Sequence, residues 1–264
     1  MFRFYYEVAC TTFRRQLVYR WANLAGLATN IFFGAVLSYE IIALFHSRPV
    51  VAGFDLVDTL RYTWLVQAAI MVVLPFGWLD LMMTIRTGEV VTDLSKPCDF
   101  YWYWFSREMG RNCYFLLFRA VPIYLIGTLL FRLGLPTAWS EWLGFGLVLL
   151  LASILGIAYR FFYNIVAFWI VEARASATLA QTIALFFTGS YIPIPFLPVW
   201  LRQIVEWLPF NGLMNLPTEV LLGKIAGGAL WFEVARQVGW VLFLTASCLL
   251  LTRVATRRVV AQGG

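Results

Sequence analysis

At 264 residues, 61% of them hydrophobic and only 13% charged, with a mean hydropathy of +0.77, the chain has too little polar surface for a water-soluble domain and reads as an integral membrane protein. Its apolar runs, roughly 15 to 30 residues long, lack the alternation of a membrane barrel, so helical spans are expected. The net charge of +6 argues for a positive inner face rather than for nucleic acid, because the basic residues stand at the ends of apolar runs and not on one polar face.

Residues 1–20 carry helical periodicity, with Phe2, Tyr6, Ala9, Phe13 and Leu17 on one stripe and Arg3, Glu7, Thr11 and Arg14 on another. That pattern predicts an interfacial helix with its arginines toward anionic headgroups. The opening MFRFYYEV lacks the apolar core and small-residue cleavage site of a signal peptide, which leaves the first span as the expected targeting signal. Spans are expected at 21–44 and 62–83. The polar loop between them holds Arg48, Asp55, Asp58 and His46, the chain's only histidine. No cluster with metal-ligand spacing accompanies His46, and no metal is expected. Cys10, Cys98, Cys113 and Cys248 lie within a span or near the expected cytoplasmic side, so no disulfide framework is implied.

Residues 86–111 form the longest polar interruption on the side of the basic termini and read as a docking loop. Its first part predicts a short helix of about eight residues, roughly 12 Å long. Thr87 is the expected N-cap, Glu89 suits the first turn, and Lys96 followed by Pro97 stops the helix. Glu89 and Asp93, four apart, would share a face for basic residues of a partner. The six aromatics from Phe100 to Phe105 are expected at headgroup level, holding the loop against the membrane.

The third span is expected at 113–131, with Arg119 snorkelling to the inner surface, and the fourth at 142–171. Along the fourth, Ser153, Gly156, Arg160, Tyr163, Asn164 and Ala167 recur at helical spacing, so this stripe should face protein or a transport path rather than lipid. Asp80, at similar depth in the second span, is the expected counter-charge of Arg160. A turn through Glu172 and Arg174 leads to a fifth run at 177–192, short of a full crossing. Gly189, Pro193, Pro195, Pro198, Pro209 and Pro217 then punctuate sequence that stays apolar. Residues 193–228 are expected to form a re-entrant pair of short outer helices, with Arg202 and Glu206 paired on one face and Trp200, Leu201, Ile204, Val205 and Leu208 on the other. The last span is expected at 234–252. With both termini cytoplasmic, twelve basic residues fall on inner segments against six on outer ones, which favours that orientation.

The expectation is therefore one all-α membrane domain over 1–264. It has six transmembrane helices, an N-terminal interfacial amphipathic helix, a cytoplasmic helix after span 2 and a re-entrant outer helical pair before span 6. The sequence contains no phosphate-binding loop: Gly223 and Lys224 lack the upstream glycine and the following Ser or Thr. No G-x-S-x-G, H-E-x-x-H or G-x-G-x-x-G occurs either. Energy from ATP would have to arrive through a partner.

Two stretches carry a resemblance to a known family. Ile85-Arg86-Thr87-Gly88-Glu89, Asp93-Leu94 and Lys96-Pro97 resemble the coupling-helix pattern of type-2 ABC transporter permeases, the six-span membrane subunits encoded apart from their ATPase. Phe168-Trp169, Gly189-Ser190, Pro193, Pro198, Trp200-Leu201, Leu208-Pro209-Phe210, Pro217 and Gly223-Lys224 are similar to that family's markers before the last span, although Gly189 and Ser190 stand in reversed order. The resemblance implies a multi-pass protein of the cell (inner) membrane. It would work in the lipid bilayer as an exporter subunit beside a second permease, identical or paralogous, docked on a separate ATP-binding cassette subunit. ATP and Mg would sit on that partner, with no cofactor on this chain and no nucleic acid bound. It implies docking through a coupling helix with Thr87, Gly88, Glu89, Asp93, Lys96 and Pro97, and makes Asp80, Arg160 and Asn164 candidates for the path and Gly189, Pro193, Pro195, Pro198 and Pro209 for an outer gate. The alternative is a secondary transporter or channel not powered by ATP, a class that places ionisable groups at mid-membrane.

Overall fold

The computed structural model describes residues 2–47, 49–74, 78–136, 138–170 and 173–257, and Arg48, Val171, Glu172 and Arg258 lie outside the described residues. Helix α1 (Phe2–Val18) leads through Tyr19 into α2 (Arg20–Phe45). A small turn closed by a bridge between Val51 and Phe54 precedes α3 (Leu56–Val73), whose N-cap Asp55 accepts the Asp58 N–H at 2.7 Å. The chain leaves the helix at Leu74 and re-enters it as α4 (Asp80–Arg86), followed by the one-turn α5 (Val90–Leu94). The expected second span at 62–83 is thus broken in two.

Asp99 caps the next helix, accepting the Trp102 N–H at 3.0 Å. That helix runs without a gap from Phe100 to Phe131 as α6 (Phe100–Phe115), a π-helical turn at Leu116–Ala120 and α7 (Val121–Phe131). Pro122 explains the π turn, since it has no N–H to donate and its ring excludes the normal hydrogen-bond register. The aromatic run Phe100 to Phe105 is therefore the first turn and a half of a 32-residue helix, not part of a loop. A continuous rod this long leaves no room for the expected span boundary at Cys113.

Helix α8 (Trp139–Ile165) continues into a 3-10 turn at Val166–Phe168, and α9 (Ala173–Phe187) follows. A second 3-10 turn at Ile194–Phe196, α10 (Val199–Trp207) and α11 (Asn215–Leu221) lead to α12 (Gly227–Thr256). Among the described residues five helices are long and apolar enough to cross a membrane: α2, α3, Phe100–Phe131, Trp139–Phe168 and α12. At 15 residues, about 22 Å, α9 falls short of the ~30 Å hydrocarbon core, so the expected fifth span at 177–192 is not among them.

The core lies where α2, α3, α7 and α8 meet. Trp64 of α3 is fully buried between Gly34 of α2 and Gly127 of α7, each of which leaves a slot that a side chain would fill. Its indole donates to Ser38 Oγ at 3.0 Å, so the ring's one polar atom is satisfied inside the slot. Helix α1 lies along α6, with Gly110 against the Ala9 backbone. Its packed side runs through Tyr5, Ala9, Thr12 and Gln16, while Phe2, Tyr6 and Leu17 of the expected apolar stripe stay exposed.

Candidate functional site

Three clusters position the residues singled out in the sequence. The first is the short segment between α4 and α6. Thr87 does not open a helix. It closes α4, its N–H donating to Met83 O at 2.9 Å, and Gly88 then turns the chain at φ +79, a conformation that strains any other residue. Helix α5 has five residues, roughly 7.5 Å, rather than the expected eight, and its N-cap Glu89 makes no side-chain cap bond.

What holds so short a helix is its surroundings. Val90 is buried against Leu81, Phe100 and Tyr101. Lys96 Nζ binds Asp93 Oδ1 at 2.6 Å, donates to Tyr103 Oη at 2.8 Å, and lies over the Tyr103 ring at 4.0 Å. Partial burial works against the Lys96 charge, but the hydrogen bonds to Asp93 and Tyr103 outweigh it and raise its pKa. The Asp99 N–H donates to Tyr5 Oη at 3.1 Å, tying the segment to α1. Asp93 is therefore buried in an internal pair and does not share an open face with Glu89. The exposed tip is Arg86, Thr87, Gly88, Glu89, Val91 and Thr92, and Pro97 is exposed beyond it.

The second cluster lies inside the bundle. Arg160 is 2% exposed, and its Nε is 3.1 Å from Glu108 Oε2, which also accepts from Arg111 Nη2. Arg160 Nη1 donates to the Val73 carbonyl at 2.5 Å and Nη2 to Asn112 Oδ1 at 3.4 Å. The expected partner Asp80 is replaced by Glu108, because α6 begins thirteen residues earlier than the expected third span and carries Glu108 into the bundle. Asp80 stands instead at the exposed first turn of α4.

Asn164 completes the arrangement. It accepts the Met82 N–H at 3.2 Å, and its Nδ2 donates to Trp78 O at 3.3 Å and Arg160 O at 2.8 Å. Helix α4 has Leu79 as N-cap and no cap bond of its own, so Asn164 supplies from α8 what the local sequence lacks. Arg160 likewise takes the Val73 carbonyl, left over where α3 ends. Gly156 brings α8 up against that carbonyl. The polar stripe of α8 faces protein, and Arg160 and Asn164 bind the two broken ends of the second span.

Sequence reasoning missed Glu108, Arg111 and Asn112 by assigning the first two to the docking loop and passing over the third. The available signal was Asp99 as a cap before an uninterrupted helical pattern, with the three polar residues at i, i+3 and i+4. Arg119 also departs from expectation. It does not snorkel; it is buried in the π turn against Gly26, with Nη2 donating to Asn30 Oδ1 at 3.3 Å.

The third cluster lies at the far end of α3. Gly189 takes φ +82 directly against Tyr62, whose hydroxyl sits 3.2 Å from Gly189 O and 3.0 Å from Asn215 Oδ1. Pro193 precedes the 3-10 turn that contains Pro195, Pro198 caps α10, and Pro209 follows the end of α10. Arg202 and Glu206 pair at 2.6 Å as expected, whereas Trp200 and Ile204 of the apolar face are exposed. Lys224 reaches Asp58 at 2.5 Å and Gly53 O at 3.1 Å, fastening the segment to the turn before α3. A cavity of about 220 Å³ opens between α2, α3 and residues 189–196.

A family model described as ABC-2 family transporter protein matches residues 31–263. No curated protein and no solved structure matches the chain.

Proposed function

Because the chain belongs to the ABC-2 family of transporter proteins, we propose that it is the membrane-spanning permease subunit of an ATP-driven exporter. A second permease completes the path, and a separate ATP-binding cassette subunit docks on the tip from Arg86 to Thr92. The observation that carries this reading is how the tip is held. Its residues are exposed, while Lys96, Asp93, Tyr103 and Tyr5 clamp its base to α6 and α1. A docking element fixed to a long helix moves that helix when it is pushed.

In this reading α9 is the short fifth of six spans, both termini are cytoplasmic, and residues 193–228 cover the outer exit. The cavity beside Gly189 and Pro193 then lies on the outward path. Glu108 is held between Arg111 and Arg160, and Arg160 is further tied to the Val73 carbonyl, which leaves this carboxylate poorly suited to carrying a coupling cation.

The test is co-purification with an ATP-binding subunit encoded beside this chain. Glu89→Arg should lower the recovered subunit about tenfold, the factor for one charge-assisted contact, with membrane insertion unchanged. Equal recovery, or ATP turnover by this chain alone, would sink the proposal.

A further inference from the structure

A polar cavity of about 180 Å³ lies under α1, between that helix, the start of α4 and α6. It is lined by Arg15, Trp78, Asp80, Arg107, Glu108 and Arg111 among others. At about 30 Å³ per liquid water, this is space for several solvent molecules or one tetrahedral oxyanion.

The charges do not balance. Arg15, Arg107 and Arg111 line the cavity and Arg160 stands directly behind it on Glu108, so four guanidiniums face the two carboxylates Asp80 and Glu108. Glu108 is already shared between Arg111 and Arg160. Arg111 is 1% exposed, its Cζ lies 3.0 Å from the centre of the Trp78 ring, and its Nε and Nη1 find no hydrogen-bond partner among the described residues. Two buried donors of a fixed cation cannot be left dry without a large desolvation penalty. Arg107 is held over Trp104 at 4.2 Å, which orients its guanidinium, and its nitrogens make no ion pair among the described residues.

We propose that this cavity is a binding site for a phosphate-type oxyanion, held by Arg15, Arg107 and Arg111 with Trp78 as the platform beneath Arg111. Arginine is the side chain suited to this task, because its planar donors match phosphate oxygens. Helix α1 roofs the site, so the anion is either the phosphodiester of a membrane lipid headgroup entering along α1 or a free phosphate from solvent. Bound, it would neutralise the excess charge and join α1, α4 and α6 at the base of the docking segment. The proposal is independent of the transport reading, since binding needs neither ATP nor a partner.

The experiment uses the full chain purified in a neutral, phosphate-free detergent. It is titrated separately with inorganic phosphate, dioctanoyl phosphatidylglycerol and dioctanoylglycerol, which lacks the phosphate, and binding is read by calorimetry and by the shift of the thermal unfolding midpoint. The expected result is saturable binding of a phosphate-bearing probe. It should weaken roughly tenfold in Arg15→Gln and in Arg107→Gln, stay unchanged in Arg3→Gln on the same helix, and tighten in Asp80→Asn. Arg15 and Arg107, the two substituted arginines, are partly solvent-facing, and an unfolding midpoint of the free variant equal to the parent's establishes that it folds. Binding of the lipid without binding of phosphate assigns the headgroup; phosphate binding that competes with the lipid assigns the free anion. If neither probe binds better than dioctanoylglycerol, or if both arginine variants bind like the parent, the proposal is overturned.

Discussion

At the scale of single residues, the buried centre is Glu108 between two arginines. Removing the carboxylate leaves two guanidiniums in a low-dielectric interior, and breaking such a pair costs about 3–5 kcal/mol. Glu108→Gln and Arg160→Met are each expected to lower stability by that order, read as the thermal unfolding midpoint of the purified chain. Arg160→Met also strips the Val73 carbonyl of its donor. The double variant should lose less than the sum of the two, because one charge no longer faces the other's absence. A strictly additive pair would show that the two residues do not interact. The need for a protein-facing environment at Arg160 was legible in the sequence, since a lipid-facing arginine is costly. Its partner was not, because depth was counted from span ends, and the third span was started thirteen residues too late, at Cys113 instead of Phe100.

Among elements, the informative case is α5. One turn of helix cannot sustain itself in water, so its order is borrowed from Val90 packing and from the Lys96 bonds to Asp93 and Tyr103. Lys96→Met should speed amide hydrogen exchange over Val90–Leu94 about tenfold, as expected for loss of one charge-assisted bond, while exchange in α6 stays unchanged. Unchanged exchange in α5 would show that Val90 alone holds it. The sequence located this segment through its polarity and the Lys96-Pro97 stop, but misassigned the cap. Thr87 suits a helix start by residue type, and only the positive φ of Gly88 shows that it ends the previous helix. The break between α3 and α4 was likewise obscured. Pro75 and Gly77 signal it in the sequence, yet the apolar run on either side reads as continuous.

For the molecule as a whole, burial is uneven. In their most apolar windows α3 and Trp139–Phe168 are about half buried, whereas α2 is only 11% and α12 17% buried, so two inner helices are flanked by two open ones. Orientation is the property that composition addressed and that labelling decides. With both termini cytoplasmic, Arg202→Cys or Glu206→Cys should react with a membrane-impermeant maleimide added outside intact cells, and reaction only after permeabilisation would invert the topology. The broken second span adds a constraint on biogenesis. Its loose ends at Val73 and Met82 are tied by side chains on a helix made some 80 residues later. While the ribosome is still translating those residues, α3 and α4 wait in the translocon or the bilayer with backbone groups unmet. Helix α8 is thus a clasp that arrives after the pieces it joins, and a nascent chain halted before Trp139 would hold its second span only provisionally.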